Sequence, residues 1–313
     1  MSDAPTRHRI GVLGGTGFVG RVLCARLIAD GHELVVPSRD PTRHRDLERD
    51  NLRLQRGDVH DREFLTRTLD GCDVVINLVG IFNEHGHGGR EFQAVNSELP
   101  RTLGRVCREL RVERVLHMGV LGAQAGSSPS RCLRSKGEGA NALQVELGGR
   151  IPWTLFKPSA IFGPGDRFTC RIERLLRRAG GFLPLPCAGT RLAPVYVADV
   201  AEAFARSLDD PETHRRRYQL YGPDILTLEE CARAVAAALG RRARIWRLPD
   251  PLSRLEAGLL GTMPGKPFSR DNYMTLQTDS IPDGQEPGPA DLDIAPVAMR
   301  DTLPRYLPCR TAR

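Results

Sequence analysis

Long apolar runs are absent from this chain of 313 residues. No stretch approaches the roughly 20 residues that a membrane-spanning helix needs. The opening MSDAPTRHRI holds no hydrophobic stretch of the kind an export signal carries. The expectation is a cytoplasmic chain, neither secreted nor integral to a membrane, with peripheral contact at the inner membrane face left open. Aromatic residues are scarce, at 5%, so there is little to stack on bases, and the net charge of +7 is spread along the sequence. No nucleic-acid partner is expected. Lysine is nearly missing: Lys136, Lys157 and Lys266 are the only three, against 42 arginines. That bias reflects coding composition more than recognition, yet it makes each lysine worth asking about. The eight cysteines form no CxxC pair and no tight cluster, which argues for a reducing compartment without a zinc or disulfide frame.

What is present is ordinary globular material, 40% hydrophobic and 27% charged. The first 80 residues alternate strand and helix patterns, the mark of a parallel sheet built from βαβ units. Ile10 to Leu13 form an apolar run entering GGTGFVG, and Val19 to Ile28 follow with helical spacing until Asp30-Gly31. Further strands are predicted over Glu33–Pro37, Leu52–Gln55 and Asp73–Val79, with a charged helix from Pro41. A helix through Asn96 to Leu110, a fifth strand at Arg114–Gly119, a long helix over Ser130–Leu147 and a sixth strand over Pro152–Phe162 continue the series. Beyond that the alternation breaks down. Thr169–Arg178 and Leu226–Leu239 have helical spacing, Val195–Leu208 reads as a strand running into a helix, and the tail from Gln277 closes with a small helix near Met299–Tyr306.

The glycines of Gly14-Gly15-Thr16-Gly17-Phe18-Val19-Gly20 follow a strand and open a helix. Gly14 permits the tight turn, Gly17 lets the backbone approach a pyrophosphate, and Gly20 lets helix and sheet pack closely. The backbone from Gly14 through Thr16, Gly17, Phe18 and Val19 then offers unpaired N–H groups and a helix dipole to phosphate. The expected class is α/β, a doubly wound parallel sheet (Rossmann) with a smaller C-terminal lobe. Residues 1–165 would form the dinucleotide-binding domain and 166–313 mainly the lobe, with 188–208 returning to the core. A site preferring NAD places an acid at the end of the second strand. Here that stretch is Ser38-Arg39-Asp40-Pro41, and Asp followed by Pro suits the start of the next helix. Ser38 and Arg39 would then face the adenosine 2′ position, where a guanidinium grips phosphate bidentately, so NADP(H) is favoured over NAD(H).

These residues resemble the short-chain dehydrogenase/reductase superfamily, in its extended or atypical branch related to sugar epimerases. The resemblance rests on GGTGFVG, Gly57-Asp58-Val59, Asn77-Leu78-Val79-Gly80, KPSAIFGP from Lys157, and VYVADVA from Val195. More narrowly, SPSRCLRSKGEGA, FGPGDRF and DLDIAPVAMRDTLPRYL are similar to the branch containing the NADPH-binding accessory subunit of respiratory complex I and its bacterial relatives. The resemblance implies a dinucleotide touched by Asp58 and Val59 at the adenine, by Leu78, Val79 and Gly80 on the ribose and nicotinamide side, and by Pro158, Ser159 and Ile161 at the nicotinamide. It also implies a respiratory or quinone-linked protein complex as partner.

The superfamily's chemistry needs a tyrosine and a lysine four residues apart on one helix face, plus a serine or threonine ending the fifth strand. The ammonium lowers the phenol's pKa and anchors ribose, while the hydroxyl orients the substrate oxygen. This chain keeps Lys136 but presents Cys132 at the tyrosine position and Gly119 at the serine position. A thiol is a weaker donor on a shorter side chain. The expectation is a protein that holds a nucleotide but is weak or silent by the tyrosine route, with a structural, assembly or redox-sensing role. The alternative is an active oxidoreductase or epimerase on a small carbonyl or hydroxy substrate, with Ser130, Ser135 or Tyr196 substituting.

Four further features have local readings. His85-x-His87 beside Glu84 could bind metal, but a flexible glycine–histidine loop is favoured and no metal is expected. His117 reads as a satisfied core residue, and Cys132 as a packing thiol more than a redox-active one. The helix-spaced leucines of PLSRLEAGLLGTMP give one apolar face. With Arg254 its only basic residue, packing within the lobe is favoured over a membrane or a partner subunit.

Overall fold

The structure, a computed structural model, describes residues 7–86, 88–263 and 268–308. Strand β1 (Arg9–Leu13) enters the glycine turn and helix α1 (Phe18–Ala29) leaves it. β2 (Glu33–Ser38) leads into a 3₁₀ stretch at Pro41–Leu47, where the sequence suggested a helix; it is kinked at His44, and Asp40 precedes it. β3 (Leu52–Arg56), α2 (Arg62–Leu69) and β4 (Val74–Asn77) follow. A single helical turn α3 (Arg90–Phe92) runs through a π-helical turn (Gln93–Glu98) into α4 (Leu99–Leu110). β5 (Arg114–Met118), α5 (Arg131–Leu147) and β6 (Trp153–Pro158) complete this part, and α5 starts on an N-cap, Ser130, whose hydroxyl accepts from the Leu133 N–H.

The predicted sixth strand is split. Its backbone turns away at Ser159-Ala160, and β7 (Ile161–Phe162) pairs elsewhere, in parallel with β10 (Val195–Tyr196). Between them lie α6 (Thr169–Arg178), β8 (Phe182–Leu185) and β9 (Arg191–Leu192). α7 (Val197–Arg206) packs back on α1, and β11 (Arg216–Leu220) adds to the main sheet in parallel with β6. The lobe is finished by β12 (Leu226–Thr227), α8 (Leu228–Ala238), β13 (Arg244–Arg247), α9 (Asp250–Leu260), α10 (Arg270–Leu276) and α11 (Met299–Tyr306).

The main sheet has seven parallel strands in the order β11-β6-β5-β4-β1-β2-β3. Chain order reverses between β1 and β4, and that crevice at the carboxyl ends of the strands is where ligands bind in doubly wound sheets. One apolar cluster joins α1, α7 and the sheet, with Leu292 and Ile294 of the tail packed into it. A second lies behind the opposite face, under α2, α4 and α5, and a third fills the lobe between α6, α8 and α11. Among the described residues six cysteines are free, five of them buried, but Cys170 is disulfide-bonded. That corrects the expectation of a chain without disulfides: scattered spacing carries no information about which sulfurs the fold brings together.

Candidate dinucleotide site

Gly14 sits at φ +82, and a Cβ there would press on Leu78 at 3.2 Å. At Gly20 an added Cβ would stand 2.2 Å from the Gly14 carbonyl oxygen, so only glycine lets α1 start this close to the turn. Gly17 differs: a Cβ there would meet only the Gly14 oxygen, at 3.2 Å, and would otherwise point into open space. Gly17 is the N-cap of α1, and no side chain caps the helix. The first N–H groups of Phe18, Val19 and Gly20 therefore lack an intrahelical or side-chain acceptor, which is the arrangement an anion completes. Thr16 lies in the same turn, its carbonyl accepting from the Arg21 guanidinium at 3.3 Å.

Of the residues expected on the adenosine side, Ser38 ends β2 buried and Arg39 follows it exposed. Asp40 does not face them as a free acid, for it accepts from the Thr42 hydroxyl at 2.5 Å and pairs with Arg43 at 2.9 Å. Arg21 was not singled out in the sequence. From the first turn of α1 it reaches Asp46 and His44, tying the phosphate turn to the 3₁₀ stretch after β2. At the end of β3, Asp58 accepts from the His60 N–H at 3.0 Å, forming a local turn, with Val59 half-buried beside it.

The residues expected on the nicotinamide side lie where β4 and α5 meet. Asn77 accepts from the Val79 N–H at 3.0 Å and its amide donates to Nδ1 of His117 at 3.2 Å. Burial holds His117 down to about 3, with Lys136 nearby adding to the effect, so the imidazole is neutral and satisfied. Gly80 admits Lys136: a Cβ on it would stand 2.4 Å from Nζ. The ammonium lies 4.8 Å above the Phe82 ring and is buried, which lowers its pKa. Cys132 precedes it by one turn on the same helix and is fully buried, its thiol donating to the Ile81 carbonyl at 3.4 Å. Burial pushes that thiol up to about 12, more than the neighbouring Lys136 can offset, so it stays protonated at neutral pH.

Asn96 also went unnoticed in the sequence. Placed by the π-helical turn, its side chain accepts from the Ile81 N–H at 2.9 Å and donates to the Ile81 carbonyl at 3.0 Å, fixing the segment after Gly80. Gly139 allows this approach, because a Cβ there would overlap the Asn96 carbonyl oxygen at 1.8 Å. The signal was available as GEGA in α5, glycines in a helix interior that close packing explains. Ser135 accepts from Asn96 at 3.2 Å and donates to the Cys132 carbonyl at 2.9 Å. Gly119 donates its N–H to Phe156 and carries no hydroxyl. Ser130, besides capping α5, is 3.0 Å from Asp271 and 2.7 Å from Thr275 of α10. Tyr196 packs on Phe162 with ring centres 5.6 Å apart and the planes tilted by 42°. Both serines suggested as substitutes are thus engaged in holding the fold.

Asp271 is the largest omission. Its carboxylate accepts from the N–H groups of Arg131 at 2.7 Å and Cys132 at 3.1 Å, capping α5 from the lobe, while Asn272 donates to the Phe82 carbonyl at 2.9 Å. Beside this clamp a cleft of about 550 Å³ opens between α9, α10 and the start of α5, lined by Arg131, Gly258, Arg270 and Met274 among others. Pro158 ends β6 and Ile161 starts β7, while the Ser159 hydroxyl donates to the Ser280 carbonyl at 2.6 Å and accepts from the Ala193 N–H. In the glycine–histidine loop, Glu84 accepts from the Gly89 N–H, and no three potential metal ligands cluster among the described residues. His87 lies outside the described residues.

The sequence profile of the NAD dependent epimerase/dehydratase family matches residues 10–220, and the chain belongs to that family. It is 31% identical over 306 residues to the mitochondrial NADH dehydrogenase [ubiquinone] 1 alpha subcomplex subunit 9 of Arabidopsis thaliana, a match covering 92% of this chain and 74% of that one. It is 29% identical over 257 residues to the ceramide reductase of Caulobacter vibrioides, covering 81% and 77%. In fold it is similar to a Thermus thermophilus UDP-glucose 4-epimerase solved with NAD, at a TM-score of 0.63 and 20% identity over 86% of this chain and 98% of that one.

Proposed function

We propose that this protein binds NADP(H) in the β1–β4 crevice and holds it without turning it over by the tyrosine route, acting as a structural, assembly or redox-sensing subunit beside a respiratory or quinone-linked complex. One observation carries the reading. Lys136 is retained at the ribose position against Gly80, while the group one turn before it is a fully buried thiol with a pKa near 12, unable to pass a proton at neutral pH. The residues fit a dinucleotide, since the uncapped α1 terminus would take its diphosphate and Lys136 its nicotinamide ribose. When bound, that group supplies or accepts a hydride. The likeness to a complex I subunit supports the partner class.

Ser38 and Arg39 support the preference for the 2′-phosphate, because Asp40 is held in its own turn. Arg39→Ala should weaken NADPH about 10- to 100-fold and leave NADH nearly unchanged, as loss of a charge-assisted contact requires. Calorimetry showing tighter NADH binding in the unaltered protein would overturn the preference. A panel of carbonyl compounds incubated with protein and NADPH should show no oxidation of the nucleotide. The second reading, an active reductase on a carbonyl or hydroxy substrate, is favoured by the ceramide reductase relative and by the cleft beside Asp271. A robust rate lost on Lys136→Ala would establish it.

A further inference from the structure

We propose that the lobe docks on an anionic phospholipid surface through α9 and the β8–β13 edge. The sequence favoured packing of the α9 leucines inside the lobe; the structure packs Leu260 there and places the other three outside. Leu252, Leu255 and Leu259 follow one face at helical spacing and are 41%, 58% and 62% exposed, with Met263 exposed just beyond. The inward face is made of Leu260 and small residues. Ser253 and Ala257 are buried, and Ala257 packs with Phe268 and Tyr273. α9 therefore presents apolar surface that the described lobe does not cover.

Elements near α9 carry an aromatic pair and a charge excess. Phe182 of β8 and Trp246 of β13 stack with ring centres 6.4 Å apart while both remain about half exposed. Trp246 lies four residues before α9 begins. Arg171 of α6 interacts with Glu256 of α9, which sets α6 beside that helix, and Leu175, one turn on from Arg171, is exposed. Helix α6 and residues 241–247 together hold eight arginines against one carboxylate, Glu173. That surplus of seven equals the net charge of the whole chain, so the remainder is balanced. Arg174, Arg178, Arg241, Arg242 and Arg244 are exposed and form no ion pair among the described residues.

A stripe of leucines on an in-plane helix, a stacked aromatic pair and uncompensated arginines make up the chemistry that an interfacial helix presents to anionic lipid. A partner protein would need a matching acidic patch, whereas a bilayer supplies headgroup charge and acyl chain together. The arginines would meet phosphate, and the leucines and Trp246 would enter the boundary layer.

The test is cosedimentation of the full chain with vesicles of phosphatidylcholine alone and of phosphatidylcholine containing one-third phosphatidylglycerol. Binding is expected only to the anionic vesicles and should fall with added salt. Leu255→Asp with Leu259→Asp should lower partitioning by at least about 100-fold. Arg241→Ala with Arg244→Ala should lower it by about 30-fold. Both double variants should keep the wild-type melting temperature and nucleotide affinity, because the altered side chains are exposed. A measurement on the unaltered surface guards against misfolded variants: bromine-labelled acyl chains should quench Trp246, an effect that Trp246→Phe removes. No binding to anionic vesicles, or binding unaffected by the leucine changes, would overturn the proposal. So would a dimer in solution that the leucine pair dissociates while vesicles are ignored, which would make the patch a contact between copies. None of these readouts depends on whether nucleotide is bound.

Discussion

Two glycines of the same motif make separable demands. At Gly20 the obstacle to a side chain is the chain's own backbone at 2.2 Å, so Gly20→Ala should destabilise the fold by about 2 kcal/mol or more. At Gly17 an added Cβ meets only the Gly14 oxygen, at 3.2 Å, so Gly17→Val should cost far less stability than Gly20→Ala and abolish dinucleotide binding. Lys136 supplies a different contrast. It is a buried cation that costs the unliganded fold free energy and gains its return from a ligand. Lys136→Met should therefore raise denaturant stability by about 1 kcal/mol while weakening nucleotide binding. If both fell together, the lysine would be structural. His117 sets an acid limit. Its folded-state pKa near 3 lies below the usual value of about 6.5, so between these the unfolded chain binds a proton that the folded chain refuses. Stability should fall as pH drops through that window, by up to about 1.4 kcal/mol per pH unit, and His117→Gln should flatten the slope.

At the scale of elements, α10 is tied to the start of α5. Asp271 satisfies two N–H groups at the terminus of the helix that carries Cys132 and Lys136, and Asn272 holds the Phe82 carbonyl. This short helix therefore fixes the register of the site from a distant part of the sequence. Asp271→Ala strips the cap and should cost about 2 kcal/mol in unfolding free energy, with a larger share recovered by Asp271→Asn, which keeps an acceptor. Hydrogen exchange should localise the loosening to the first turn of α5. The same elements show what was legible in the sequence. α1, α5, α6 and α11 lie close to where glycine, cap and spacing signals put them, because those signals are local. β11 and the lobe strands β8, β9, β12 and β13 were not foreseen, and β9 and β12 are two-residue strands with no periodicity to read. Asp271 was hidden because nothing in SRDNY announces which helix its carboxylate will cap. The outward turn of the α9 leucines was hidden for a related reason, in that one apolar stripe fits burial inside or outside equally well.

For the molecule as a whole, the dinucleotide-binding half is the part where sequence and structure coincide most closely. Gly14, Gly15 and Gly20 each have a geometric reason, the strand order reverses beside them, and Lys136 lies against Gly80. Among the described residues no helix is long and apolar enough to cross a membrane, and the apolar surface of the lobe is an exterior feature. The proposed function is that of a nucleotide-holding body in which the buried thiol of Cys132 stands one turn before Lys136. Its central claim is the diphosphate at the start of α1. Titration calorimetry of the purified chain with NADPH tests it most directly: the account predicts saturable binding of one nucleotide per chain, abolished by Gly17→Val, and the absence of any binding heat with NADPH or NADH at millimolar concentration would contradict it.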